Sequence, residues 1–129
     1  MKKSQIEKQI ISLKIPAEVS FLRAVRLLIT AQLRLRSADE VDLDDLKLAI
    51  SEFLARAFEA EIVGEYIKID ISIEKNLVDI EIGDFEEFDP KKLFASPYLN
   101  FEAIDTLVNN FEIEALEGSL VKVKIKKSF

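Results

Sequence analysis

The 129-residue chain predicts a two-layer α/β (α+β) sandwich, a mostly antiparallel mixed sheet with helices on one face. Three observations carry that expectation. Apolar and polar residues alternate over five short segments, as in strands with one wet face. Two longer segments between the first and second of these repeat apolar residues at spacings of three and four, as in amphipathic helices. Four of the five alternating segments fall into two pairs, each split by a short turn, and strands so joined run antiparallel.

The elements follow in order. Ile11, Leu13 and Ile15 alternate with Ser12 and Lys14 in a strand over 9–15 that Pro16 stops. Residues 17–36 change period: Phe21, Leu22, Val25, Leu28, Ile29 and Leu33 form one stripe of a helix, and the arginines fall largely outside it. A second helix is expected from Asp42 to Ala60, with Asp42 as cap and Asp44 and Asp45 in its positive first turn. Ile67, Ile69, Ile71 and Ile73, a Lys75-Asn76 turn, and Val78, Ile80 and Ile82 read as a hairpin. An acidic stretch from Gly83 to Pro90 follows. Ser96-Pro97 reads as the start of a short helix carrying Phe101, Ile104, Leu107 and Val108. Phe111, Ile113 and Ala115, a Glu117-Gly118 turn, and Val121, Val123 and Ile125 make a second hairpin. The order is β-α-α-β-β-loop-α-β-β in a single domain spanning 1–129.

Composition removes several chemistries. The chain has no Cys and no His, which excludes disulfides, the usual structural zinc sites, Cys nucleophiles and imidazole-based dyads or triads. No signal peptide is visible and no apolar run is long enough to span a bilayer, so a cytoplasmic protein without membrane contact is expected. The net charge of −6 argues against direct nucleic-acid binding. The charge is unevenly spread. Residues 59–89 hold eleven acids and two lysines, whereas Arg23, Arg26, Arg34 and Arg36 have no acid between them. At 100° per residue Arg23, Arg26 and Arg34 share one helix face and Arg36 points elsewhere. That face is a candidate docking surface for an acidic protein partner. The competing expectation is that these arginines pair with the protein's own acids, such as those of 59–89.

The stretch Ile15-Pro16-Ala17, the long helix after it, and the block Asp45-Leu46-Lys47-Leu48-Ala49-Ile50-Ser51-Glu52 resemble the anti-sigma factor and serine-protein kinase family of bacterial partner-switching modules. Those proteins belong to the histidine-kinase-like ATPase superfamily. The element order over 9–127 is similar too. In that family a helical Glu acts as general base or orients the nucleophile, and an Asn one turn later holds Mg²⁺ between the phosphates. A D-x-G-x-G loop binds adenine, and a second glycine-rich stretch wraps the phosphates.

Carried onto this sequence, the resemblance implies Glu52 as the catalytic Glu and puts Arg56 at the Asn position. A guanidinium has no acceptor and cannot ligate a cation. Aligned on the preceding strand, Asp84 takes the adenine-binding position and Glu86 the first glycine. Aligned on Phe88-Asp89-Pro90, Gly83 takes the Asp position; both alignments are open. Ser96 to Phe101, where the second glycine-rich stretch belongs, has no Gly, and Glu86-Glu87 would repel a triphosphate. Glu52 and Arg56 also suit a plain i, i+4 ion pair, and the acidic loop a solvated surface. Phe85, Phe88, Phe94 and Tyr98 are expected to pack over the vacated pocket.

The function implied is an anti-sigma-factor-like regulatory protein with a degenerate nucleotide site. It would act by binding a sigma factor and/or an anti-anti-sigma protein as a homodimer, with little or no ATP turnover and no metal. The alternatives are an ATP-dependent protein-serine kinase acting on an anti-anti-sigma partner, which would retain ATP and Mg²⁺, and a non-catalytic self-associating scaffold of the same fold.

Overall fold

The computed structural model describes residues 8–59, 65–83, 104–116 and 119–129. They form strand β1 (Lys8–Pro16), helix α1 (Leu22–Arg34), helix α2 (Glu40–Glu59) and strands β2 (Tyr66–Glu74), β3 (Leu77–Gly83), β4 (Asn110–Leu116) and β5 (Ser119–Ser128). The strands lie side by side in the order β1-β2-β3-β5-β4. All the pairings among them are antiparallel, so the mixed element of the expected sheet is not present among the described residues.

The period-two alternation has a direct structural consequence. One transverse row of inward side chains runs Ile11, Ile71, Ile80, Ile125, Phe111, and the next runs Leu13, Ile69, Ile82, Val123, Ile113. The β2, β3 and β5 members of both rows are buried, while the edge-strand members are half-buried. Leu22, Val25, Ile29 and Leu33 of α1 and Leu43, Leu46, Ala49, Ile50, Phe53, Leu54 and Ala57 of α2 complete the same core. Phe53 meets Phe111 with ring centroids 6.0 Å apart and planes at 58°, a tilted geometry that suits the ring quadrupoles.

The opposite face of the sheet is wet. Lys122 reaches Glu81 at 3.5 Å, Lys124 reaches Glu114 at 3.4 Å and Lys126 reaches Asp79 at 3.9 Å. Lys14 and Lys68 are directly opposite; Lys14 lies over the Tyr66 ring, 5.1 Å from its centroid, an attraction that offsets the like-charge neighbour.

Three boundaries differ from the sequence reading. The helix expected from residue 17 begins later: Val19–Phe21 form a 3-10 turn after an extended Glu18, and no side chain caps the start. Ala17 instead donates its N–H to the Glu65 carbonyl at 2.9 Å, which holds that residue to the sheet side. The second helix is capped by Asp39 rather than Asp42. Asp39 Oδ1 accepts the Val41 N–H at 2.9 Å, one of the donors that no helical carbonyl can reach, and Asp42 lies in the first turn. Of the third expected helix, Ile104 and Asp105 are helical and Leu107 closes a turn onto the Ile104 carbonyl. Its Ser96-Pro97 start and Phe101 lie outside the described residues, as does the Glu117-Gly118 turn.

Helix α1 ends in a Schellman-type turn. Ala38 N–H donates to the Leu33 carbonyl and Ser37 N–H to the Arg34 carbonyl, both at 3.1 Å, with Ser37 left-handed at φ 59°. These bonds satisfy carbonyls that the helix itself leaves open. Lys75, at φ 52°, makes the β2–β3 turn, and the Arg36 guanidinium donates to its carbonyl at 3.3 Å.

Candidate functional site

The three arginines placed on one face by helical geometry do line one groove. It is a cavity of about 470 Å³ between α1 and α2, on the side of the helices away from the sheet. Arg23, Arg26 and Arg34 come from α1 and Lys47 from α2, and Leu27 and Leu48 add apolar walls. These residues converge because α1 and α2 each use one stripe for the core, leaving the flanks that face each other across the groove open to solvent.

Their charges are not equivalent. Arg34 makes a two-pronged pair with Glu40: Nε donates to Oε1 at 3.0 Å and Nη2 to Oε2 at 3.1 Å. That hydrogen bonding, and then the Glu40 charge, raises the guanidinium pKa above its already high value. Lys47 pairs with Asp44 at 3.3 Å. Arg23 and Arg26 are exposed and make no ion pair among the described residues. The competing expectation, pairing with the protein's own acids, is met by Arg34 through Glu40; of the acids of 59–89, the Glu59 side chain, Glu61, Asp84, Glu86, Glu87 and Asp89 lie outside the described residues. Thr30 and Ser51 also line the groove. Thr30 donates to the Arg26 carbonyl at 2.7 Å, whereas Ser51 Oγ is buried with no hydrogen-bond partner among the described residues.

Of the expected nucleotide-site residues, Glu52 is half-buried on α2 and does have an interaction partner. Arg56 is on the same helix one turn later, but its side chain lies outside the described residues. Asp84, Glu86 and Glu87 lie outside them entirely, as do Phe85, Phe88, Phe94 and Tyr98. Among the described residues no group of carboxylates is placed to hold a metal ion.

A residue that sequence reasoning passed over sits at the start of α2. Lys127 of β5 faces the helices and its side chain is 12% exposed. Its Nζ lies 3.6 Å from Asp42 and 3.7 Å from Asp45, joining the sheet to the first two turns of α2. The signal was present in the parity: Lys127 follows Val123 and Ile125 on the inward side.

These elements give the chain a two-layer α+β fold, a five-stranded antiparallel sheet under a helical layer. The chain is similar to the crystal structure of the RsbU and RsbW domains of a Mycobacterium tuberculosis protein, with a TM-score of 0.68 and 18% identity over 93% of this chain. It spans 32% of that longer chain. No protein-family model and no curated protein sequence matches it. No helix among the described residues is long and apolar enough to cross a membrane.

Proposed function

We propose that this chain is a regulatory protein of the anti-sigma-factor type, working in transcription regulation by binding protein partners, with little or no ATP turnover. The supporting fold likeness is to a protein whose domains carry the RsbU and RsbW names. The observation that carries the reading is the composition of α2. The helix holds the Leu46–Glu52 block inside that fold, yet offers Arg56 where the family has its metal-holding Asn. Without a ligand for Mg²⁺ there, the phosphate charge loses its main counterweight, and partner binding is the function the fold retains. The exposed Arg23 and Arg26, with Arg34 beside them, are the proposed docking face, suited to carboxylates through their planar forks. The partners are a sigma factor and/or an anti-anti-sigma protein. The reading implies a cytoplasmic protein with no direct nucleic-acid or membrane contact.

The test has two arms. Calorimetric titration with ATP, with and without Mg²⁺, is expected to show no micromolar Mg²⁺-ATP binding. Gel filtration with the sigma factors and anti-anti-sigma proteins of the source organism is expected to show a complex without nucleotide. Absence of any complex overturns the reading. Micromolar Mg²⁺-ATP binding with phosphate transfer to an anti-anti-sigma protein replaces it with the second reading, a protein-serine kinase, which the position of Glu52 on α2 favours. A homodimer is also proposed. Strand β1 leaves a nine-residue edge free among the described residues, with Ile10 68% exposed, and such edges invite pairing. Light scattering at tens of micromolar giving the 14.7 kDa monomer counts decisively against it and against the self-associating scaffold.

A further inference from the structure

We propose that the groove between α1 and α2 receives an acidic amphipathic helix of the protein partner, with carboxylates on Arg23 and Arg26 and apolar side chains on Leu27 and Leu48. The proposal rests on the reading that the chain acts by protein binding, and it names what is bound and how.

The charge pattern selects the occupant's sign. Arg34 and Lys47 are each matched by an acid of α2, Glu40 and Asp44, so that end of the groove is neutral. The other end presents Arg23 and Arg26 without ion-pair partners among the described residues. A cationic end beside a neutral one favours a ligand with its acids gathered toward one end.

The apolar walls select its character. Leu27 is 61% and Leu48 49% exposed, although Leu22 and Leu33 of α1 and Leu43, Leu46 and Leu54 of α2 are buried. A purely ionic ligand, such as free phosphate, would leave both in water. The shape selects a helix: two adjacent helices make a trough into which a third packs by ridges and grooves. The groove's small hydroxyl residues, Thr30 and Ser51, permit close approach, and the buried Ser51 hydroxyl has no competing partner among the described residues. A second copy docking groove to groove would bring four unpaired arginines into one interface, which argues against self-association here.

The experiment uses the full chain, isotopically labelled, and a helix-forming peptide of about four turns with Glu clustered in one half and a Leu stripe along one face. A control peptide replaces each Glu with Lys. Amide shift changes are expected on Arg23, Arg26, Leu27, Thr30 and Leu48, saturating at submillimolar peptide. Binding is expected to weaken at least about tenfold for the Lys peptide and for Arg23→Glu with Arg26→Glu. The same loss is expected for Leu48→Ser, an exposed site at which folding is readily verified by circular dichroism. No saturable shifts in the groove, equal binding of the Lys peptide, or shifts confined to another surface overturns the proposal. Groove shifts that grow with the chain's own concentration in the absence of peptide overturn it in favour of a second copy. A natural partner that binds wild type and the double arginine variant equally well refutes the groove while leaving the regulatory reading intact; absence of any natural partner for the wild type refutes the reading itself.

Discussion

Replacing Lys127 tests whether one inward-facing cation holds α2 to the sheet. Its ammonium lies 3.6 Å and 3.7 Å from the carboxylates of Asp42 and Asp45. At an effective dielectric of about 20, each pair attracts by about 4–5 kcal/mol. Most of that gain is cancelled by desolvating an ammonium whose side chain keeps only 12% of its exposure, and by solvent screening of two acids that are each about a third exposed. The expected net cost of Lys127→Ala is about 2 kcal/mol, of which part is lost packing of the stem. Lys127→Met keeps the stem and removes only the charge, so its cost is about 1 kcal/mol. The cost is limited because Asp42 and Asp45 also face the positive end of the α2 dipole. Urea unfolding followed by circular dichroism reads both values. A double-mutant cycle of Lys127→Met with Asp42→Asn and Asp45→Asn isolates the coupling, expected at about 1 kcal/mol. If Lys127→Ala unfolds within about 0.3 kcal/mol of wild type, or the cycle shows no coupling, the clasp is not a source of stability.

Two further substitutions probe the ends of the helices. Ser37→Gly is expected to stabilise the protein by about 0.5–1 kcal/mol, because glycine takes the left-handed conformation at the end of α1 without a Cβ clash; an unchanged or lower urea midpoint refutes the Schellman assignment. Asp39→Ala is expected to cost about 1 kcal/mol by orphaning the Val41 N–H, with Asp42→Ala costing less through this route. The reverse order in thermal melts would restore Asp42 as the cap.

The strands were legible because isoleucine alternation over β2 and β3 leaves one consistent face. The helix ends were less so. Asp39, Glu40, Asp42, Asp44 and Asp45 cluster within seven residues, and propensity alone cannot say which carboxylate reaches a free N–H. At the end of α1 the chain uses Ser37 where a glycine would have announced the stop. The arginine face followed from helical angles, but the groove did not, since Lys47, Leu48 and Ser51 arrive from a second helix whose approach no single-helix pattern encodes. Arg34 and Glu40 are six positions apart across a turn, outside the spacings that mark a helical ion pair. Lys127 stood on the inward side by parity, and its partners became apparent only once the first two turns of α2 lay above β5. The stretch with Asp84, on which the expected nucleotide site turned, lies outside the described residues.

The wet face of the sheet has a bearing on encounter with charged molecules. Its outward positions carry Lys8, Lys14, Lys68, Lys122, Lys124 and Lys126 against Asp70, Glu74, Asp79, Glu81, Glu112 and Glu114. Signs interleaved at strand spacing cancel within about one Debye length at physiological salt. From a distance the sheet is electrically quiet, a backing that neither attracts nor orients. Helix α1, with its arginines and no acid of its own, keeps a field that reaches outward. Among the described residues, an acidic partner diffusing in is therefore turned by α1 rather than by the sheet, and meets the arginines first.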